Sequence, residues 1–175
     1  MHKAHRESWP ARLAEWFGVL GQIEETVSLT NVDNLTYVGD LTMGSASEAV
    51  SVVFDTGSLG LAVQGSSCTS NCAADTYDET GSSDYSATAT GWSRTYRTSQ
   101  AENYWIEASG VEAEDSITLD STSISPLKMY MISAMSQASG ESFTPDNAGW
   151  LGLTYNMESG ASNDFDFIEQ IIASG

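Results

Sequence analysis

One short segment of the sequence combines residue types that could perform acid–base chemistry. The apolar run Val52-Val53-Phe54 leads directly into Asp55-Thr56-Gly57-Ser58. A strand of this kind delivers its aspartate into a turn, and because glycine lets the backbone fold back, N–H groups there can donate to the carboxylate. Asp55 is therefore the candidate catalytic residue. The alternative is that these four residues form a polar turn after the strand and have no chemical role.

The charge balance narrows the classes of function. The 175 residues include six Lys and Arg against 24 Asp and Glu, which gives a net charge of −18 at pH 7. A surface of this charge repels phosphate, so nucleic acid and anionic membranes are excluded as partners. No apolar run approaches the roughly 18 residues of a membrane span. Strong acidity suits a protein that works at low pH, although a well-solvated acidic surface explains it equally well.

Short β-rich segments dominate the sequence after Thr26 and predict an all-β domain. Each is rich in Val, Ile, Tyr or Thr and is bounded by Gly, Ser, Asn or Asp. The predicted strands are 35–38, 40–43, 49–54, 93–97, 103–108, 116–119, 128–133 and 150–153. Their spacing favours a sandwich or a barrel. The polar stretch 65–91 is expected to form loops with a short strand around Tyr85, and the acidic cluster 112–115 a solvated turn.

A helix is expected at each end of the chain. Within residues 1–25, apolar side chains recur at helical spacing and three of the six basic residues are found. The composition changes near Thr26, so we divide the chain into a helical N-terminal segment, 1–25, and a domain, 26–175. The second helix is predicted at 164–173. One face of it would carry Phe165, Ile168, Ile171 and Ile172.

The two cysteines, Cys68 and Cys72, lie close together in the loop-like stretch. Two thiols are too few for a closed zinc site unless His2 or His5 reaches across the sequence. A small local disulfide is the favoured interpretation, and it indicates an oxidising compartment. Two free thiols in a reducing cell remain the alternative.

Several ordered motifs resemble the N-terminal lobe of a pepsin-like aspartic protease, from about Leu29 to Gly175. Phe54-Asp55-Thr56-Gly57-Ser58 is identical to the catalytic motif of that family. The other matching segments are the opening hairpin at 37–44, the small disulfide loop at 68–72, the stretch 82–85, the flap at 94–98 with Tyr96 as its tyrosine, the strand 150–153 and the closing helix at 165–175.

The resemblance implies a single acid-protease lobe, a six-stranded type of β barrel or sandwich with a flap hairpin. It assigns catalysis to Asp55 and the disulfide to Cys68 and Cys72. The residues implied in substrate binding and the flap are Gly57, Ser58, Tyr96, Arg97 and Thr98. Those implied in support of the catalytic loop are Thr56, Trp150, Leu151 and Gly152.

The implied chemistry is hydrolysis of peptide bonds at acid pH by an aspartate-activated water, without a cofactor or a metal. Two neighbouring carboxylates share one proton; the ionised one activates the water and the protonated one stabilises the oxyanion. The Ser58 hydroxyl would donate to the outer oxygen of Asp55. The substrates would be peptides or proteins in a secreted, vacuolar or lysosomal setting. Residues 1–25 would be the tail of a pro-segment that covers the cleft of the zymogen.

Four departures from the family pattern stand against a complete enzyme. The sequence contains one Asp-Thr-Gly and no second such motif, so the second aspartate would come from a C-terminal lobe or a partner chain. Ala62 stands where a tryptophan commonly contacts the flap tyrosine, Arg97 replaces a glycine, and Ala148 replaces an aspartate. The isolated chain is expected to be inactive. A pepsin-like peptide-binding module or a structural subunit, neither of them catalytic, is the alternative.

Overall fold

The structure is a computed structural model that describes residues 26–34, 36–97, 105–119, 122–137, 145–154 and 164–174. These residues form an all-β fold, as predicted, with one short α-helix near the C-terminus. The strands are β1 (Thr30–Val32), β2 (Thr36–Met43), β3 (Glu48–Asp55), β4 (Leu59–Gln64), β5 (Ser86–Arg97), β6 (Trp105–Leu119), β7 (Thr122–Gln137) and β8 (Gly149–Leu153), and the helix is α1 (Phe167–Ser174). A 3-10 turn at Glu79–Gly81 lies between β4 and β5.

All eight strands belong to one sheet with the order β1-β2-β3-β8-β4-β7-β6-β5. A further pairing of β2 with β6, through Thr42 opposite Thr118 and Met43 opposite Ile117, bends the sheet back on itself. A closed path of strands encloses the core between them. The main core is formed by buried side chains from six strands and the helix, among them Leu41, Val52, Leu61, Ile117, Met129, Leu151 and Phe167.

The strands are longer than the sequence patterns indicated. The described part of the predicted segment 35–38 and the segment 40–43 form one strand, β2, because Gly39 does not turn the chain. A Cβ at Gly39 would lie 2.7 Å from Leu29, so the glycine allows close packing instead. The segment 116–119 and the described part of 103–108 likewise belong to the single strand β6.

One of two expectations for polar regions was wrong. The stretch 65–91 was expected to form loops with a short strand around Tyr85; residues 65–85 lie outside the strands, and β5 begins at Ser86 and is longer than expected. The acidic cluster 112–115 is not a solvated turn, since it lies within β6 and Asp115 is fully buried. Asp115 accepts hydrogen bonds from the Tyr77 hydroxyl at 2.5 Å and from Ser82 Oγ at 2.8 Å. A buried carboxylate needs such partners, and the sequence neighbours alone do not reveal them.

The C-terminal helix begins later than predicted. Asp166 caps it, because its Oδ1 accepts from the backbone N–H of Ile168 at 2.9 Å and of Glu169 at 3.1 Å. Phe165 therefore precedes the helix and does not belong to its apolar face. The N-terminal helix predicted within 1–25 lies outside the described residues.

Strand β8 positions the segment that carries Asp55. It runs parallel to β3, with Asp55 opposite Gly152, and antiparallel to β4, with Leu59 opposite Leu153. Gly152 is buried between them, and a Cβ there would lie 2.5 Å from the Ser58 carbonyl and the Leu59 nitrogen. The turn after Asp55 can pack this closely on β8 only because residue 152 lacks a side chain.

This close approach predicts that Gly152→Ala destabilises the fold. We expect the free energy of unfolding in urea to fall by about 1–3 kcal/mol, because the backbone of the turn cannot move away without breaking the β4–β8 pairing. Gly91→Ala is the matched control, since nothing lies within 4 Å of a Cβ at Gly91 in β5. Equal stability of the two variants would contradict this account of the turn.

Candidate active site

Asp55 is the last residue of β3 and lies half-buried at the start of a tight turn. Its Oδ1 accepts a hydrogen bond from the Gly57 N–H at 2.8 Å. A Cβ at Gly57 would lie 3.2 Å from the same carboxylate oxygen, so glycine permits this approach. The carboxylate is thus oriented by the backbone of its own turn, as the sequence pattern suggested.

A residue that the sequence analysis missed, Thr154, ties this turn to the end of β8. Its hydroxyl donates to the Thr56 carbonyl at 2.7 Å, and its backbone N–H donates to the Ser58 carbonyl at 3.0 Å. Thr154 therefore holds the backbone of the turn at two carbonyls, those of Thr56 and Ser58. A threonine directly after an apolar strand is too common a pattern to predict this contact.

The structure brings together the residues predicted to support the catalytic loop. Leu151 is fully buried opposite Phe54, and Gly152 is opposite Asp55. Trp150 is opposite Val53 on one side and Ala62 on the other. Since alternate residues of a strand share a face, Trp150 and Asp55 occupy neighbouring positions on one face of the sheet.

The expected hydrogen bond from Ser58 to Asp55 is not present. Ser58 Oγ is buried and has no hydrogen-bond partner among the residues that the structure describes. A buried hydroxyl without a partner destabilises a fold by about 1–3 kcal/mol. This hydroxyl is therefore able to take a partner beside the catalytic turn.

The flap tyrosine predicted from the sequence lies in β5, which pairs antiparallel with β6. Tyr96 is opposite Ile106 and is only 7% exposed. Its ring stacks on that of Trp150, with the centroids 4.3 Å apart and the planes at 12°. Arg97 ends β5 opposite Trp105, and Thr98 lies outside the described residues.

Arg94 is a second residue that the sequence analysis did not single out. Its Nη1 donates to the Leu59 carbonyl at 2.6 Å, and its guanidinium carbon lies 6.0 Å from the ring centroid of Tyr130. Trp92 stacks on the same tyrosine ring at 4.5 Å. A period-two pattern in the sequence could have revealed Arg94. Every second residue of this part of β5 faces the interior, namely Trp92, Arg94 and Tyr96, and the residues between them are exposed.

Burial keeps the Tyr96 hydroxyl protonated. Loss of solvent around the ring raises its pKa to about 12, while the charge of Arg94 and a hydrogen bond from it act in the opposite direction. The negative charge of Asp55 raises the pKa further. Tyr96 is consequently a neutral hydrogen-bond donor throughout the acidic and neutral range.

The disulfide between Cys68 and Cys72 is present, and it closes a loop directly after β4. Fully buried Gln64 supports this loop, since its Oε1 accepts from the Ala73 N–H at 2.6 Å.

Among the described ranges, no three His, Cys, Asp or Glu residues are grouped so that they could hold a metal ion. In the same part of the chain, no helix is long and apolar enough to cross a membrane.

The raised pKa of Tyr96 predicts a loss of stability at alkaline pH. An unfolded tyrosine ionises near pH 10, so the stabilising contribution is complete below pH 10 and disappears as pH rises through 12. The free energy of unfolding should fall by up to about 1.4 kcal/mol per pH unit in this window because of Tyr96. Urea titrations at each pH should show that the free energy of unfolding falls less steeply between pH 10 and 12 for Tyr96→Phe than for the wild type. Tyr37→Phe, which removes an exposed tyrosine, is the control and should fall as steeply as the wild type. Identical declines for Tyr96→Phe and the wild type would be the contrary result.

Comparison with known proteins agrees with this geometry. The sequence model of the eukaryotic aspartyl protease family matches residues 36–174, which include the Asp55 turn, strands β5 and β6 and α1. No curated protein matches the chain. Because the family match covers most of the sequence, the chain belongs to the eukaryotic aspartyl proteases, the pepsin-like family of aspartic-type peptidases.

Proposed function

We propose that this chain is the lobe of an aspartic endopeptidase that supplies Asp55, the first of two catalytic carboxylates. The observation that carries the proposal is the position of Asp55. It ends β3 in a turn where the Gly57 N–H donates to its carboxylate. Trp150, the residue on which the Tyr96 ring stacks, lies on the same face of the sheet. The second carboxylate would come from a second lobe or a partner chain.

The proposed reaction is attack of water on a peptide carbonyl. The ionised carboxylate of the pair takes a proton from the water as the water oxygen bonds to the carbonyl carbon. The protonated carboxyl donates its proton to the carbonyl oxygen and stabilises the charge that develops there. Collapse of the tetrahedral gem-diol breaks the C–N bond. The amine leaves with the proton that was removed from the water, and one diol hydroxyl returns its proton to the second carboxylate as the carbonyl re-forms.

Neighbouring residues support this reaction in the proposal. The neutral hydroxyl of Tyr96 would donate to the substrate under the flap, which excludes water from the cleft. The unpartnered Ser58 Oγ would donate to the outer oxygen of Asp55 when the cleft is assembled. Because a single proton is shared by the carboxylate pair, activity requires acid and is lost once that proton dissociates.

The cellular setting is part of the proposal. The Cys68–Cys72 disulfide supports an oxidising environment, in keeping with a secreted protein or one in an acidic vacuolar or lysosomal compartment. Residues 1–25, which carry three basic residues, would be the tail of a pro-segment that covers the acidic cleft at neutral pH. Its release in acid would follow from protonation of the carboxylates that hold it.

Digestion of an unfolded protein between pH 2 and 7 tests the proposal. The wild type, Asp55→Asn and Asp40→Asn would each be assayed alone and with the sequence encoded after Gly175. Asp40 is an exposed carboxylate on β2, so its variant makes the same change of charge away from the site. We expect acid-optimal cleavage by the extended wild type and by Asp40→Asn, and a loss of kcat/KM of about 1,000-fold or more in Asp55→Asn.

The other outcomes are equally informative. Cleavage by the unextended chain would mean that a second copy supplies the second carboxylate. No cleavage from any extended form, together with peptide binding that survives Asp55→Asn, would overturn catalysis and favour a pepsin-like peptide-binding module. Full activity in Asp55→Asn would exclude Asp55 from the reaction.

A further inference from the structure

We propose that Trp150 is the residue that positions the ring of Tyr96, the flap tyrosine. Arg94 holds the strand that carries Tyr96, β5, at a second point. This inference rests on the proposed function only for its catalytic consequence. The placement of Tyr96 is a property of this chain and can be measured without turnover. Neither residue touches the reacting atoms in this proposal, so both are positioning residues.

The pairing of β8 with β4 places the indole where it can hold the flap. Trp150 is directly opposite Ala62, and partners across a ladder project from the same face of a sheet. Ala62 is 1% exposed and belongs to the same buried cluster as Tyr96, and the Trp150 side chain packs against that cluster. The Tyr96 ring lies parallel to the indole at 4.3 Å, as the next layer.

Arg94 fixes the same strand at a second point. The hydrogen bond from its Nη1 to the Leu59 carbonyl joins β5 to the first residue of β4. Leu59 is four positions after Asp55, and Trp150 is two positions before Gly152, the partner of Asp55. Both anchors of β5 therefore lie on strands that adjoin the catalytic turn, so they set the height of the flap relative to the aspartate.

The other aromatic stack in the hairpin provides an internal comparison. Trp92 stacks on Tyr130, and Tyr130 stacks on Phe165. That column packs in the same buried cluster as Tyr96, but the ring on which Tyr96 stacks is that of Trp150. A general loss of aromatic packing can thus be separated from the loss of flap positioning.

The consequence for the enzyme is a flap strand that is positioned before the substrate arrives. Stacking on Trp150 restricts the tilt of the Tyr96 ring, and the ring carries the hydroxyl that would meet the substrate. Pre-organisation of this kind lowers the entropic cost of reaching the reactive geometry. Loss of Trp150 should therefore lower kcat more than it raises KM.

Hydrogen exchange on the chain itself tests the inference. The amides of 94–97 and 105–108 would be followed in the wild type, Trp150→Ala, Trp150→Phe and Trp92→Ala. We expect exchange about three- to tenfold faster in Trp150→Ala, near-normal exchange in Trp150→Phe, which retains a ring, and little change at these amides in Trp92→Ala. Spectroscopic titration should also show Tyr96 ionising at a lower pH in Trp150→Ala alone.

Two results would overturn the inference. One is unchanged exchange and unchanged Tyr96 titration in Trp150→Ala; the other is an equal effect of Trp92→Ala at the same amides. If Trp150→Ala does not fold, Trp150→Leu carries the comparison, because leucine keeps apolar bulk without a ring to stack. In the extended protein, a fall in kcat that Trp150→Phe restores is expected. Since the exchange data need no activity, failure of the inference and failure of the proposed function are distinguished.

Discussion

The site depends on the insertion of β8 between β3 and β4. The chain leaves β3 at Asp55, turns within three residues and begins β4 at Leu59, so the two strands flank a third that arrives from far along the sequence. Gly152 lets the turn lie directly on β8, and Thr154 donates hydrogen bonds to two backbone carbonyls of the turn, those of Thr56 and Ser58. A carboxylate on a free loop would sample many positions, whereas Asp55 is paired with Gly152 of β8 and accepts a hydrogen bond from its own turn.

The same strand links the aspartate to the flap. Trp150 is two residues before Gly152 and stacks on Tyr96, so one five-residue strand contacts both the Asp55 turn and the strand that carries Tyr96. Arg94 adds a positive charge between them in a protein of net charge −18. It partly offsets the effects of burial and of Asp55 on the pKa of Tyr96, which nonetheless remains a neutral donor.

Local chemistry was predictable from the sequence to the extent that it is encoded by adjacent residues. The Asp55 turn, the disulfide between Cys68 and Cys72 and the apolar strand 150–153 depend on short spacings, and each has the form expected. Strand β4 was not among the predicted strands, because Gly60 interrupts a brief apolar run and has a positive φ of 78°. The later start of α1 depends on Asp166, whose role as a cap is visible only with its hydrogen bonds.

Contacts between distant strands were the part that sequence could not provide. The buried state of Asp115 depends on Tyr77 and Ser82, more than 30 positions away. The position of Arg94 depends on a carbonyl 35 positions earlier. The departure at Ala62 seemed to remove an aromatic neighbour of the flap tyrosine, but the strand register places Trp150 opposite Ala62 and restores one. Such compensation between strands follows from topology, which a single sequence does not display.

The most direct measurement is the affinity of the extended protein for a peptide in which a secondary alcohol replaces the scissile amide. In the proposed site the alcohol would take the place of the attacking water and would bind both carboxylates through charge-assisted hydrogen bonds. Calorimetry at acid pH should show that Asp55→Asn weakens binding about 10- to 100-fold relative to the wild type, while Asp40→Asn leaves it unchanged. Equal affinity of Asp55→Asn and the wild type would contradict the assignment of Asp55 to the catalytic pair.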